Sequence, residues 1–311
     1  MPESTEAASN RYRVTATTLN LRSHPIVAQR TRLASLPEGH VVEKVAVAND
    51  PAWWLVKSLI AGEPVSGFVA HRYLASVAEA ESLASHDQIV EVHLKTNHPN
   101  ATRRSTAARA FPLNEAGQPM RTSTMTATEK FAALAKIISW LRVDQSPRYR
   151  PTTGTTFCNI YAYDYCYLAG VYLPRVWWTG QALIDLSRGD SVSARYGITV
   201  SELNANSLYA WLEEFGPLFR WQRMLDLDVL QKKVNAGRVG LICAQRADLN
   251  RSGHIAAVVP ETPSNEALRQ NDKVKRPLQS QAGRQNYQYG TGSRKWWTGD
   301  QFRAFGFWCH D

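Results

Sequence analysis

Thr155-Thr156-Phe157-Cys158-Asn159-Ile160-Tyr161-Ala162-Tyr163-Asp164-Tyr165-Cys166-Tyr167-Leu168-Ala169-Gly170 is the stretch on which the fold turns. It follows a Pro/Thr/Gly loop, Pro151-Thr152-Thr153-Gly154. Ile160, Tyr161, Tyr165 and Leu168 then recur at three- and four-residue steps, the period of a helix. Thr155 or Thr156 is placed to cap that helix, which puts Cys158 in its first turn. Unpaired N–H groups and the positive end of the helix dipole favour a thiolate there. Such a cysteine has two readings, a small buried residue or an activated nucleophile, and a histidine elsewhere in the chain bears on the choice.

Upstream, Thr126-Ala127-Thr128-Glu129 has the form of a capping box. Behind it Phe131, Leu134, Ala135, Ile138 and Leu141 fall on one helical face. Downstream, Val171 to Gly180 reads as a loop presenting the aromatic pair Trp177-Trp178, followed by a helix near Ala182–Leu186. Helices are predicted from Ser201 to Phe215 and from Leu225 to Val234, the second stopped by Asn235-Ala236-Gly237. Everything later reads as strand: Val239–Ala244, His254–Val259, Leu278–Gln281 and Phe305–Cys309. Helices first and antiparallel strands after is an α+β order.

The reactive side chains narrow by elimination. Residues 125–311 contain two histidines, His254 and His310. His310 lies where fraying is common, whereas His254 follows Arg251-Ser252-Gly253 and opens an apolar strand. Its alternatives are a satisfied core or edge histidine and an active-site base. Of the four cysteines, Cys243 sits inside a strand, Cys166 sits mid-helix among tyrosines, and Cys309 is near the C-terminal residue. Cys158 has the setting of a nucleophile.

The first 80 residues have a different texture. Arg13–Ala16, Leu19–Pro25, Val41–Val47, Trp53–Lys57 and Gly67–Leu74 read as short strands rich in β-branched and aromatic residues, which argues for a small barrel or sandwich. Residues 1–10 are expected to be disordered, and 80–125 to form a linker with a basic cluster at Arg103, Arg104 and Arg109. Across all 311 residues the apolar fraction is 44%, the charged fraction 20%, and the formal charge +9. That composition belongs to a globular chain that favours an anionic partner. Ten Trp and twelve Tyr supply flat stacking surface of the kind carbohydrate ligands use. No apolar run is long enough to span a bilayer, the cysteines show neither metal spacing nor a disulfide framework, and the polar start is not a secretory signal. Thiols are expected to be free.

The motifs Leu19-Asn20-Leu21-Arg22-Ser23-His24-Pro25, Leu36-Pro37-Glu38-Gly39, Trp53-Trp54-Leu55-Val56 and Gly67-Phe68-Val69-Ala70-His71-Arg72-Tyr73-Leu74, in that order, resemble the bacterial SH3-like domain. Gly-Phe-Val stands where that family usually closes with Gly-Trp-Val. The resemblance implies an all-β SH3-like barrel over 11–79 that binds cell wall, with Trp53 and Trp54 as candidate ligand contacts. Residues 126–311 resemble the papain-like superfamily, and within it the NlpC-type and CHAP-type wall hydrolases: a Cys at a helix start, a Gly-His strand start, then a polar residue on the next strand. That implies a second, α+β papain-like cysteine peptidase domain with an antiparallel sheet. It also implies roles: Cys158 attacks an amide carbonyl, His254 is the base, and one residue of Gln279-Ser280-Gln281 orients the imidazole. CHAP-type enzymes carry Gln before the Cys and this chain carries Phe157, so the oxyanion donors beyond the Cys158 N–H are open, with Tyr149, Thr155 and Asn159 as candidates.

Alternation puts Gln279 and Gln281 on one face of their strand and does not separate them. If that strand runs antiparallel to the His254 strand, its end lies beside the start of the other, which favours Gln281. Its carbonyl is expected to accept the Nδ1–H bond and to hold Nε2 toward Cys158. Trp177, Trp178 and Tyr161 are the candidate substrate contacts. The expected function is cleavage of a peptide-stem or cross-bridge amide in peptidoglycan. The alternatives are thioester acyl transfer and an inactive wall-binding protein. No metal or cofactor is implied. Bacterial peptidoglycan is the expected partner, with neither nucleic acid nor a membrane span, and the chain is expected to be a monomer. Synthesis in the cytoplasm without a Sec signal and action at the wall would suit a phage lysin or an exported effector.

Overall fold

The computed structural model describes residues 10–60, 63–76, 89–94, 103–105 and 110–311. Most of the predicted disordered start, and parts of the predicted linker, lie outside them. The chain divides into two compact units, Met1–Gln88 and Ile89–Asp311.

Among the described residues unit 1 contains seven strands, β1 (Arg11–Val14), β2 (Thr18–Arg22), β3 (Arg32–Pro37), β4 (Val41–Val47), β5 (Trp53–Ile60), β6 (Glu63–Ala70) and β7 (Leu74–Ser76). They pair antiparallel in the order β3-β2-β6-β5-β4-β1-β7. Among the described residues β3 and β7 do not pair, so the sheet is open where a barrel was expected. Val14, Leu19, Leu21, Leu36, Val42, Val56 and Val69 form its core. A Cβ on Gly67 would stand 2.7 Å from the Arg22 carbonyl oxygen, so only glycine lets β6 approach β2 at that point. Trp54 is half-buried. Its ring lies edge-on to Tyr12, stacks on His71 and carries the Lys44 ammonium on its face. Trp53 is also half-buried.

In unit 2 come α1 (Ala127–Leu141), α2 (Cys158–Leu168), β8 (Val176–Trp178), α3 (Gly180–Ser187), β9 (Val200–Glu202), α4 (Ala205–Glu214), β10 (Gln222–Met224) and α5 (Leu227–Asn235). The strands β11 (Val239–Arg246), β12 (His254–Val258), β13 (Leu268–Gln270), β14 (Lys273–Arg276), β15 (Gln279–Gln281), β16 (Tyr287–Gly290) and β17 (Phe302–His310) follow. Thr126 and Glu129 close the capping box of α1 reciprocally. The main sheet is antiparallel in the order β10-β17-β11-β12-β15-β16. Side chains alternate between the two faces of the sheet, and in β11 and β12 both faces are covered. Leu241, Cys243, Ile255 and Ala257 join α2 and α4 in one core. Ile242, Ala244 and Val258 join Leu230 and Val234 of α5 in another. The expected linker also contributes to packing: Val92, Leu94, Ala110 and Leu113 are buried in the first of these cores.

Helix α2 is not amphipathic. Apart from Asn159 and Tyr167, all its residues are buried, as in a helix enclosed by a core on every side. Asp164 lies in the middle of it with no side-chain exposure. Arg148 Nε and Nη2 donate to its two carboxylate oxygens at 2.6 and 3.1 Å, and Tyr149 donates its hydroxyl at 2.8 Å. A carboxylate this deep in apolar surroundings persists only with such partners. Burial, with the Asp164 carboxylate beside it, pushes the Tyr149 hydroxyl well above its ordinary value, so Tyr149 stays protonated and donates.

Candidate active site

Cys158 is the first residue of α2, preceded by Phe157, whose side chain makes no capping bond. The expected threonine cap is therefore not formed. Thr155 closes a tight turn with Thr152 through two backbone bonds of 3.0 and 3.2 Å, and Thr156 faces the cleft described below. Cys158 is 3% exposed. Burial alone would push its thiol up. The His254 imidazole and the N–H groups of Ile255 and Asn159 outweigh that, and the net shift is downward. The other three cysteines shift upward through burial: Cys166 and Cys243 strongly, and Cys309 to about 11. Of the four thiols, only that of Cys158 is set toward the thiolate.

His254 opens β12. Burial alone would lower its pKa, but the Cys158 sulfur and the bond to Gln281 raise it above the ordinary value. The two shifts are one interaction seen from both partners, since each charged form stabilises the other. The histidine is delivered by a fixed loop. A Cβ on Gly253 would stand 2.5 Å from Asn206 Oδ1 and 2.6 Å from the Ala244 carbonyl oxygen. Asn206, in the first turn of α4, donates to the carbonyls of Leu249 and Arg251 at 3.3 and 2.9 Å and accepts from the Arg246 N–H at 2.9 Å. That side chain clamps both ends of the loop between β11 and β12.

Gln281 Oε1 lies 2.7 Å from His254 Nε2, and the Gln281 amide nitrogen donates to the Gln285 carbonyl at 3.2 Å. An amide oxygen only accepts, so Nε2 carries the hydrogen and Nδ1 is left for Cys158. This reverses the expected assignment of the two ring nitrogens. The ladder separates the two glutamines: Ala257 pairs with Ser280 and Val258 with Gln279, so Gln281 lies toward the start of β12 and Gln279 away from it. Gln279 is fully buried and accepts at 2.8 Å from the indole N–H of Trp296. The Trp296 ring stands edge-on to the imidazole, 4.5 Å between centroids. No sequence argument reached Trp296. Its signal was a Trp-Trp pair two residues after the Gly/Ser-rich stretch Gly290–Ser293.

A cleft of about 780 Å³ lies against these residues, lined among others by Thr156, His254, Gln281 and Trp296. The expected aromatic contacts of unit 2 are elsewhere. Trp177 is 5% exposed and packs against Trp211, Phe215 and Phe219. Trp178 is 7% exposed and donates to the Val90 carbonyl at 3.3 Å. Tyr161 is fully buried, with its hydroxyl bonded to Ser280. All three are core residues, because β8 pairs with β9 and α2 is enclosed. Two candidate oxyanion donors are also engaged: Tyr149 with Asp164, and the Asn159 amide with the Leu203 carbonyl at 2.9 Å. Trp53 and Trp54 belong to unit 1. Among the described residues no group of three His, Cys, Asp or Glu could hold a metal ion, and no helix is long and apolar enough to cross a membrane.

The electrostatics make a direct expectation. Alkylation of Cys158 by iodoacetamide should lose its rate on acidification at a pH below the ordinary thiol range, because the reacting species is the thiolate. In His254→Ala the lowering partner is gone and burial dominates, so the midpoint should move up past that range. Stopped-time labelling with peptide mass mapping reads both. An unchanged midpoint in His254→Ala would show that the imidazole does not set the thiol.

No family model matches the chain, and nothing among the curated proteins is significantly similar to it. Among solved structures it is similar to NlpC2 from Trichomonas vaginalis, at 9% identity and a TM-score of 0.20, over 95% of this chain and 100% of that one. At that level of likeness, fold and activity have to be argued from the residues themselves.

Proposed function

We propose that this chain is a cysteine-dependent hydrolase of peptidoglycan, with a papain-like unit 2 that cuts an amide bond and a bacterial SH3-like unit 1 that binds the wall. One observation carries the reading: a thiol lowered and an imidazole raised by each other, with the imidazole oriented by a glutamine at the edge of a cleft. In this scheme the Cys158 thiolate attacks the amide carbonyl, and the imidazolium gives its Nδ1 proton to the leaving amine as the C–N bond breaks. The thioester that results is hydrolysed by water, which His254 deprotonates, and the proton then returns to the Cys158–His254 pair. In this scheme the Cys158 N–H at the start of α2 donates to the oxyanion. The net positive charge supports encounter with anionic wall polymers, and the four ordered motifs of unit 1 support the targeting role.

Mass spectrometry of fragments released from purified peptidoglycans tests the reading. New amine and carboxyl ends at one amide should appear with the wild type and not with Cys158→Ala, and an amine adduct at the new acyl end would indicate transfer instead. Release of no fragment from any wall type, by a protein whose Cys158 alkylates normally, would reject the wall substrate. Retention on insoluble wall by the full chain, but not by residues 89–311 alone, is the matching expectation for unit 1.

Gln281 acts in this scheme as a positioning residue. Gln281→Ala should lower kcat by no more than about 100-fold, less than loss of the base itself, and Gln281→Glu should keep measurable turnover. Gln279→Ala should have the smaller kinetic effect, since its amide bonds Trp296 and not His254. Steady-state kinetics with folding checked by circular dichroism decides, and a larger loss in Gln279→Ala would transfer the role.

A further inference from the structure

The cleft beside His254 is basic. Arg246, Arg251, Arg284 and Arg294 line it, and among the described residues no Asp or Glu does. None of the four forms an ion pair among the described residues. Three are exposed, while Arg246 is held by its Nε bond to the Ser252 carbonyl at 3.0 Å and by the Phe302 ring under its guanidinium. Their backbones are fixed separately. The Arg251 carbonyl is bound by Asn206 at 2.9 Å. The turn bearing Arg284 is anchored by Asn286, which donates to the carbonyls of Val143 and Tyr149 at 2.9 Å each. Beside Arg294, the Ser293 carbonyl accepts from Arg276 at 2.8 Å. Like charges gathered in one concavity repel each other, and a cleft lined by one sign of charge concentrates ligands of the other. The planar guanidinium fork matches a carboxylate in a way an ammonium does not.

We propose that Arg251, Arg284 and Arg294 form an anion-recognition subsite that selects acyl substrates bearing at least two free carboxylates near the scissile amide. This rests on the hydrolase reading and names its substrate class: an acidic peptide. The guanidiniums reach the cleft that His254 lines from three separate loops, after β11, after β15 and before Trp296. A substrate with its carboxylates distributed about the cut amide answers that arrangement, and one whose carboxylates are converted to amides does not.

The test separates binding from turnover. Full-length Cys158→Ala protein is titrated calorimetrically with a tetrapeptide carrying two free carboxylates, with its diamide, and with inorganic phosphate and a short single-stranded oligonucleotide as competing anions. The dicarboxylate should bind, more weakly as NaCl is raised, and the diamide should lose affinity by tenfold or more. Arg251→Gln, Arg284→Gln and Arg294→Gln should each weaken the dicarboxylate by about tenfold and leave the diamide unaffected. Equal affinity for peptide and diamide would overturn the proposal. So would an oligonucleotide that outcompetes the acidic peptide, which would assign the cleft to nucleic acid. If the dicarboxylate binds but no wall fragment is ever released, the subsite stands and the hydrolase reading fails. If fragments are released but the dicarboxylate does not bind, the reverse holds.

Discussion

Cys158→Ala is expected to reduce amide cleavage to background, a loss on the order of 10⁵- to 10⁶-fold of the kind seen when a covalent nucleophile is removed. The fold should survive, because the substitution removes one buried sulfur at the start of α2 and costs on the order of 1–2 kcal/mol. A second readout distinguishes loss of the nucleophile from a packing defect. The Cys158 sulfur is what holds His254 above its ordinary pKa against burial, so in Cys158→Ala the imidazole should titrate at lower pH, visible by NMR. Part of the stability linked to His254 goes with it. A raised histidine stabilises the fold fully below its unfolded pKa and loses that contribution as pH rises through the folded value. Cys166→Ala and Cys243→Ala should show the opposite profile, with stability lowered and turnover kept. Near-normal cleavage by Cys158→Ala would end the thiol mechanism.

The largest stability effect is expected at Asp164. Asp164→Ala leaves the Arg148 guanidinium buried without its counter-charge, which costs about 3–5 kcal/mol. Against a typical domain stability of about 5–15 kcal/mol, that is enough to unfold a substantial fraction of unit 2. It also frees the Tyr149 hydroxyl and loosens Arg148 from α2, whose first residue is Cys158. Chemical denaturation should place Asp164→Ala well below wild type, with Asp164→Asn between them because an amide still accepts from Tyr149. The double variant Arg148→Met/Asp164→Leu should recover much of the loss, since well-packed apolar side chains often equal or exceed a buried ion pair. A difference under about 1 kcal/mol for Asp164→Ala would show that the pair is not structurally important.

What could be read in advance divides by the range of the interaction. The start of α2 at Cys158 and the strands β11 and β12 rest on local signals, a turn-rich loop and unbroken apolar runs, and these are visible in a short window of sequence. Full enclosure of α2 was not visible, because a Tyr-rich helix with hits at three- and four-residue steps looks one-faced until the sheet and α4 are set around it. Trp177 and Trp178 looked exposed for the same reason, since the rings that bury Trp177, Trp211, Phe215 and Phe219, come from α4 and the residues just after it. Asp164 did carry a signal, a lone carboxylate among tyrosines, cysteines and leucine, which demands a buried partner. Alternation left Gln279 and Gln281 equivalent, and only the ladder between β12 and β15 distinguishes them. Which imidazole nitrogen faces the sulfur is a matter of ring orientation, and no periodicity encodes that. In unit 1 most strands were legible, though β3 (Arg32–Pro37) was not, and closure was not, because it depends on whether the first and last members of the sheet meet.

The strand order of unit 2 has a consequence for biosynthesis. β17, residues 302–310, lies between β10 and β11. A nascent chain stalled before residue 302 would present β11 with one side of its ladder open, and β10 with no partner at all. Pairings this distant along the polypeptide form late and slowly, and an open strand edge in the meantime invites association with other chains. The thiol and the imidazole would come under each other's influence only after the ribosome had released nearly the whole unit, so translation intermediates would be chemically quiet and prone to aggregate. Heterologous production should accordingly be more sensitive to chaperone supply and growth temperature than to thiol reductant.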